Sequence, residues 1–195
     1  MNNHQNNFEP PTTHSFWVIG LSAAGKSTLA RMLFDRFQEH RIPCMVIDGD
    51  EVRHVYDDTL GFDEASRRKQ TQRIIRLVRW VASQGVVPIV AIMHPYEDDR
   101  LGCREVFPNY YEIFLKCSLD VCVERDPKGL YAKALNKEIH NIAGMDIPYE
   151  EPRHSDLVLA TDRLSKGEML EAAWAEVKER IDTIPCDYSL SRRIA

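Results

Sequence analysis

The sequence predicts an α/β fold of three layers, a mostly parallel sheet with helices on both faces and a lid insertion. Near-continuous apolar runs alternate with amphipathic stretches, a glycine-rich turn joins the first run to the first helix, and one long polar segment breaks the rhythm. Ser15–Ile19 (SFWVI) reads as the first strand, and Lys26–Gln38 as a helix with Leu29, Met32, Leu33 and Phe37 at helical spacing. Cys44–Ile47 reads as a buried strand. Ser66 is the expected N-cap of a helix to about Ser83, with Ile74, Leu77, Val78 and Val81 on one face. Val86–Met93 and Tyr111–Leu115 follow as strands separated by a charged helix near 97–106. Leu157–Leu159 is the last strand, and Lys166–Ile181 the closing helix. Strands buried on both faces and joined by helices form parallel sheets, whose ligands lie at the carboxyl ends of the strands.

At 195 residues and about 150 residues per domain, one domain is expected over 15–185, with tails at 1–14 and 186–195. Phe8 is the residue of the first tail that would dock locally. The stretch 125–155 is polar, with a short helical piece at Leu130–Leu135, and loops of that length are commonly lids. The composition, 44% hydrophobic and 28% charged, is globular, and the net charge of −5 lacks the basic field that nucleic acid or membrane surfaces want. No apolar run approaches the length needed to span a bilayer, and the first fourteen residues lack a signal-peptide core. Five cysteines, none in C-x-x-C spacing, suggest reduced thiols and a cytoplasmic protein.

Gly20-Leu21-Ser22-Ala23-Ala24-Gly25-Lys26-Ser27-Thr28 matches G-x-x-x-x-G-K-[ST] between a predicted strand and a predicted helix. The glycines let consecutive N–H groups point at phosphate oxygens, and the helix dipole adds positive potential. Gly20, Ser22, Ala23, Ala24, Gly25, Lys26, Ser27 and Thr28 are therefore the ATP-binding candidates. Lys26 would reach the β and γ phosphates and Ser27 would ligate Mg²⁺. The fold expected is that of P-loop NTPases.

Asp48-Gly49-Asp50 follows the second strand, so two carboxylates sit at the carboxyl edge of the sheet. Such carboxylates accept an alcohol proton or hold Mg²⁺, the two tasks of a small-molecule kinase. A GTPase base reader N-K-x-D is absent from the sequence. Among seven basic residues between 53 and 79, Arg68, Arg76 and Arg79 read as a solvated helix face. Arg53 and Arg67 flank the Asp48/Asp50 edge and the Leu60-Gly61-Phe62 turn, where a planar guanidinium suits an anionic acceptor. Phe62 reads equally as a stacking platform for a base or as a satellite core residue.

These residues resemble the adenylylsulfate kinase (APS kinase) family, from Trp17 to about Thr161. The resemblance rests on GLSAAGKST, IDGDEVRH, LGF followed by Arg67, HPYEDDR, RDPKGLYAKA and GMDIPYEEP. It implies MgATP as phosphoryl donor and the ribose 3′-hydroxyl of adenosine 5′-phosphosulfate as acceptor. It implies that Arg125 and Lys128 belong to a lid over the phosphates, that Asp48 and Asp50 serve acceptor activation and metal, and that Arg53, Phe62 and Arg67 contact the acceptor. Gln70, Ile92, His94, Pro95, Gly129, Leu130 and Ile142 complete the acceptor set. Lys26, Lys128, Asp48 and Asp50 are the catalytic set, and Ser27 and Asp48 the metal set. Within the carboxylate pair, Asp48 is placed nearer the transferred proton and metal.

The sequence departs from the family pattern at Glu51 and Gln70, where family members have Asn, at Ile92-Met93-His94-Pro95 in place of F-I-S-P, and at Ile142 in place of a lid Phe. That Phe and the LGF Phe sandwich the acceptor adenine in the family. Loss of one aromatic face costs about 1 kcal/mol or more of stacking. The departures motivate an alternative, a kinase of the same family acting on another anionic nucleotide such as cytidine diphosphoramidate. A non-catalytic nucleotide-binding module is a third reading, which the intact phosphate-loop and lid residues disfavour. The expected partner is a small-molecule nucleotide, with a homodimer left open by the family resemblance.

Overall fold

Five parallel strands in the order β2-β3-β1-β4-β5 form the sheet of the computed structural model, which describes residues 13–56 and 60–181. The strands are β1 (Ser15–Ile19), β2 (Cys44–Asp48), β3 (Val87–Ile92), β4 (Tyr110–Lys116) and β5 (Leu157–Ala160). The helices are α1 (Lys26–Glu39), α2 (Gly49–Tyr56), α3 (Glu64–Ser83), α4 (Glu97–Val106), α5 (Leu119–Arg125), α6 (Leu130–Leu135) and α7 (Lys166–Ile181).

Alternate residues of each strand feed opposite faces, as the pleat requires. Phe16, Val18, Ile89, Ala91, Tyr111, Ile113 and Leu115 pack with Leu29, Leu33 and Phe37 of α1 and Trp174 and Val177 of α7. Trp17, Ile19, Ile47, Val90, Ile92 and Phe114 pack with Ile74 and Val78 of α3 and Cys103 of α4. Central β1 is buried at all five positions, which is why SFWVI carries no polar alternation. The three-layer α/β expectation thus holds, with every strand pair parallel.

Several local expectations are corrected. The N-cap of α3 is Asp63, not Ser66: its carboxylate accepts from the Ser66 N–H at 3.0 Å, so the helix begins at Glu64. Asp48-Gly49-Asp50 is a strand-to-helix junction, with Asp48 ending β2 and Asp50 in the first turn of α2, a helix the apolar periodicity did not reveal. Ser118 caps the equally unforeseen α5, which ends at Arg125 where the polar segment begins. Thr13, near the end of the stretch read as the first tail, is buried and its hydroxyl donates to the Ala82 carbonyl at 3.4 Å. Phe8, the rest of that tail and the stretch 182–195 lie outside the described residues.

Candidate active site

A cavity of about 970 Å³ opens at the carboxyl ends of β1, β2 and β3. It is lined by the phosphate loop, by the β2–α2 junction, by one face of α3 and by the lid. Ser22 to Thr28, Asp48, Asp50, Arg53, Phe62, Arg67, Gln70, Ile92, His94, Pro95, Arg125, Lys128, Leu130 and Ile142 all line it. Gly20 and Gly129 do not, and their roles are conformational. Gly20 has φ +147°, and a Cβ there would lie 2.7 Å from the Leu115 carbonyl oxygen, so glycine lets the loop leave β1 against β4. Gly129 has φ +64° and is the N-cap of α6.

The phosphate loop curls through left-handed Ala23 and Gly25. The half-buried Lys26 side chain spans it, its ammonium donating to the Leu21 carbonyl at 2.6 Å. Burial pulls the Lys26 pKa down to about 8, against the opposing charges of Asp50 and Asp48. One residue on, Ser27 Oγ donates to Asp48 Oδ2 at 2.5 Å, while Asp48 Oδ1 accepts the Asp50 N–H at 2.9 Å. A hydroxyl beside a carboxylate is a hard-oxygen pair that fits Mg²⁺, which takes one or two protein oxygens and fills its shell with phosphates and water. Among the described residues no cluster of three or more His, Cys, Asp or Glu offers a site for a protein-caged metal.

Asp50 meets the lid, accepting from the Lys128 ammonium. Burial pushes the Asp50 carboxyl up, but the Lys128 hydrogen bond and charge, with Lys26 and Arg53, outweigh it and hold the carboxyl below its usual range. The same bond raises Lys128. The lid turn is built for this: the Asp126 carboxylate accepts from the Leu130 and Ala132 N–H groups at 2.8 and 2.9 Å and so caps α6. Tyr131, missed at the level of sequence although it sits in RDPKGLY, is fully buried and its hydroxyl donates to the Ser22 carbonyl at 3.1 Å. That bond docks α6 on the phosphate loop. Arg125 donates to the Thr161 carbonyl at 2.6 Å, and Thr161 and Leu164 of the β5–α7 loop and Lys166 at the start of α7 join the cavity wall. Those three residues also escaped the sequence reading, because nothing local marks them.

On the opposite side stand Phe62, 42% exposed, and Ile142, buried in the lid. Phe62 is thus no core residue. The Arg53 and Arg67 guanidinium carbons lie 4.8 and 5.7 Å from its ring centroid. Arg53 donates to the Leu60 and Gly61 carbonyls at 2.8 and 3.2 Å. Gln70 is buried; its amide donates to the Gly49 carbonyl at 3.2 Å, and its Oε1 has no partner among the described residues. Glu51, by contrast, is exposed on α2 and does not line the cavity. Arg68 is no isolated solvated charge. It pairs with Glu64, Asp98 and Asp99 and lies over Tyr96, tying α3 to α4.

His94 lies at the cavity floor, 1% exposed, with φ +51°. It stacks on Trp17 at 5.7 Å, and Cys103 Sγ lies 3.9 Å from its Nε2. Burial and nearby Arg100 push its pKa down to about 3, so it is a neutral ring.

Comparison with known proteins places this geometry. The sequence profile of the family described as adenylylsulphate kinase matches residues 12–160. An adenylyl-sulfate kinase from Bacillus pumilus is 39% identical over 181 residues, covering 90% of this chain and 92% of that one. Another from Chloroflexus aurantiacus is 41% identical over 177 residues, covering 89% and 95%. The structure of the Mycobacterium tuberculosis APS kinase in complex with AMPPNP and APS superposes with a TM-score of 0.80 at 34% identity, covering 89% of this chain and all of that one. A parallel sheet carrying a phosphate loop, a lid bonded to that loop and a profile match across three quarters of the sequence lead to one assignment: the chain belongs to the adenylylsulphate kinase family.

Proposed function

We propose that this protein transfers the γ-phosphoryl group of ATP to the ribose 3′-hydroxyl of adenosine 5′-phosphosulfate. The observation that carries this is the single cavity in which the phosphate loop and the Phe62/Ile142 slot face each other across Asp48, Asp50 and Lys128. Loop N–H groups and Lys26 hold the donor phosphates, and the lid residues Arg125 and Lys128 close over them. Ser27 and Asp48 would hold Mg²⁺, which neutralises charge on the phosphates when bound. Asp48, nearer the transferred proton and metal, and Asp50, which accepts from Lys128 and supports the acceptor, are the carboxylates that orient the acceptor hydroxyl. Phosphoryl transfer through a loose transition state asks mainly for that alignment.

The domain is read as 15–185, with 125–155 as its lid. A cytoplasmic setting is supported by four free thiols and by the lack of any helix long and apolar enough to cross a membrane among the described residues. Self-association is part of the proposal; a structural relative, a hexameric APS kinase from Thiobacillus denitrificans, matches at 25% identity with a TM-score of 0.62, and this chain covers 30% of that one.

The test is ADP release from MgATP by the purified protein with APS, with identification of the 3′-phosphorylated product and Lys26→Ala as the blank. Turnover with APS supports the proposal. Turnover confined to a cytidine-linked acceptor overturns it and assigns the departures at Gln70, His94 and Ile142, all of which line the cavity, to a change of substrate.

A further inference from the structure

We propose that the Thr161 side-chain hydroxyl hydrogen-bonds the edge of the donor nucleotide's base and so helps to select the donor; this rests on the phosphate loop being the donor side of the cavity and not on the identity of the acceptor. Thr161 is the first residue after β5 and is 5% exposed. It lines the cavity, yet its Oγ1 is buried with no hydrogen-bond partner among the described residues. A buried hydroxyl left unpaired is costly, and most such groups in folded proteins are bonded. One that stands unpaired in a cavity wall has its partner in what fills the cavity.

The rest of Thr161 is committed. Its N–H donates to the Lys116 carbonyl at 2.9 Å, and its carbonyl accepts from Arg125 Nη2 at 2.6 Å. The turn that follows is closed by the Arg163 and Leu164 N–H groups, which donate to the Ala160 carbonyl at 3.0 and 3.1 Å. The loop is thereby held in place, and the side-chain oxygen is the part of Thr161 left over. Arg125 is anchored at both ends, since its Nη1 also donates to Cys117 Sγ at 3.6 Å. What it offers a ligand is the flat face of the guanidinium, on which an aromatic ring stacks. Leu164 and Met169, from the same stretch of chain, give the cavity apolar wall. A flat cation, apolar walls and one hydroxyl suit a heterocyclic base with a polar edge, and the Phe62/Ile142 slot stands on the opposite side.

A base contact and a purely structural threonine predict different things. Thr161→Val exchanges the hydroxyl for a methyl of the same shape. If the hydroxyl waits for the base, the exchange weakens MgATP binding by about tenfold and leaves the urea midpoint of the ligand-free protein at or above that of wild type, because an unpaired polar group has been removed. Magnesium tripolyphosphate, which carries the phosphates without a base, binds both proteins equally. Thr161→Ser, which keeps the oxygen, stays within about threefold of wild type for MgATP.

The measurement is calorimetric titration of wild type, Thr161→Val and Thr161→Ser with MgATP and with magnesium tripolyphosphate, together with urea unfolding of each protein without ligand. A loss in Thr161→Val confined to MgATP, recovery in Thr161→Ser and an undiminished urea midpoint support the proposal. Equal losses on the two ligands, no loss on MgATP, no recovery with serine, or a lowered midpoint in Thr161→Val overturns it. Wild-type protein that binds tripolyphosphate as tightly as MgATP also overturns it, since the base then adds nothing. Wild-type protein that binds neither ligand overturns the donor reading and the Thr161 contact together.

Discussion

The Ser27 hydroxyl donates to the Asp48 carboxylate at 2.5 Å, joining the first turn of α1 to the end of β2 within the cavity. This contact sets the two hard oxygens side by side before any metal arrives. Asp48→Asn keeps the shape but turns one oxygen into a donor. The expected outcome is a fall in kcat of about 100-fold or more and a raised Mg²⁺ requirement, with ATP affinity in metal-free buffer little changed. Steady-state kinetics against Mg²⁺ concentration check it.

Lys26 predicts a proton balance. In the free protein its pKa is about 8, and donor phosphates beside it favour the charged form. MgATP binding at pH 8 therefore takes up about half a proton through this group, and at pH 6.5 almost none. Affinity falls as pH rises past 8. Calorimetry in two buffers of different ionisation enthalpy reads the uptake directly.

Asp50 and Lys128 form an ion pair across the mouth of the site, with side chains 60% and 59% exposed. Exposed pairs contribute at most about 1 kcal/mol to stability. Lys128→Ala is accordingly expected to leave the urea midpoint nearly unchanged while lowering kcat by about 100-fold, in the range of lost positioning and electrostatic contributions. Equal damage to stability and rate would show that the pair holds the lid fold instead.

His94 predicts a stability profile. Its pKa is about 3 folded and an ordinary 6.5 unfolded. Between these values the unfolded chain binds the extra proton, so stability is complete above pH 6.5 and is lost as pH falls toward 3. From pH 7 to 4.5 this group alone removes about 2.5 kcal/mol. His94→Asn, which tolerates the positive φ, flattens that slope. Urea unfolding at the two pH values measures it.

Ile142→Phe tests whether the family aromatic can be restored. Stacking would contribute about 1 kcal/mol to base binding, but Ile142 is 1% exposed and packed with the α1 face of the core. Overpacking there costs about 1–3 kcal/mol. The larger cost decides: the melting temperature falls and the KM for the acceptor does not improve.

The phosphate loop was legible because its chemistry is contiguous: nine successive residues carry the backbone curl, the ammonium and the metal oxygen. The parallel sheet was legible because apolar strands alternate with helices at fixed periods. α2 and α5 were not, since each is a short helix with one described buried residue, Val52 and Cys122, too few to show a period. The N-cap of α3 was misplaced for a related reason. Asp63 and Ser66 are both good caps, and which carboxylate or hydroxyl takes the free N–H is a matter of local geometry.

Ser27, Lys26 and Asp48 could be placed at the cavity from the residues alone, because a phosphate-binding loop and a carboxylate after a strand carry their chemistry within a few neighbouring residues, whereas Lys128 was placed there by the family resemblance. The fold class followed from periodicity in the same way. What the tertiary structure decided is everything that depends on partners far along the chain. It made His94 a neutral ring stacked on Trp17, set Gln70 against Gly49, hung α6 on Ser22 through Tyr131, and turned Arg67 toward two backbone carbonyls. A guanidinium or an imidazole has the same formula in a core, on a wall or beside an anion. Only desolvation and the donors and acceptors that folding places around it select which of these it becomes.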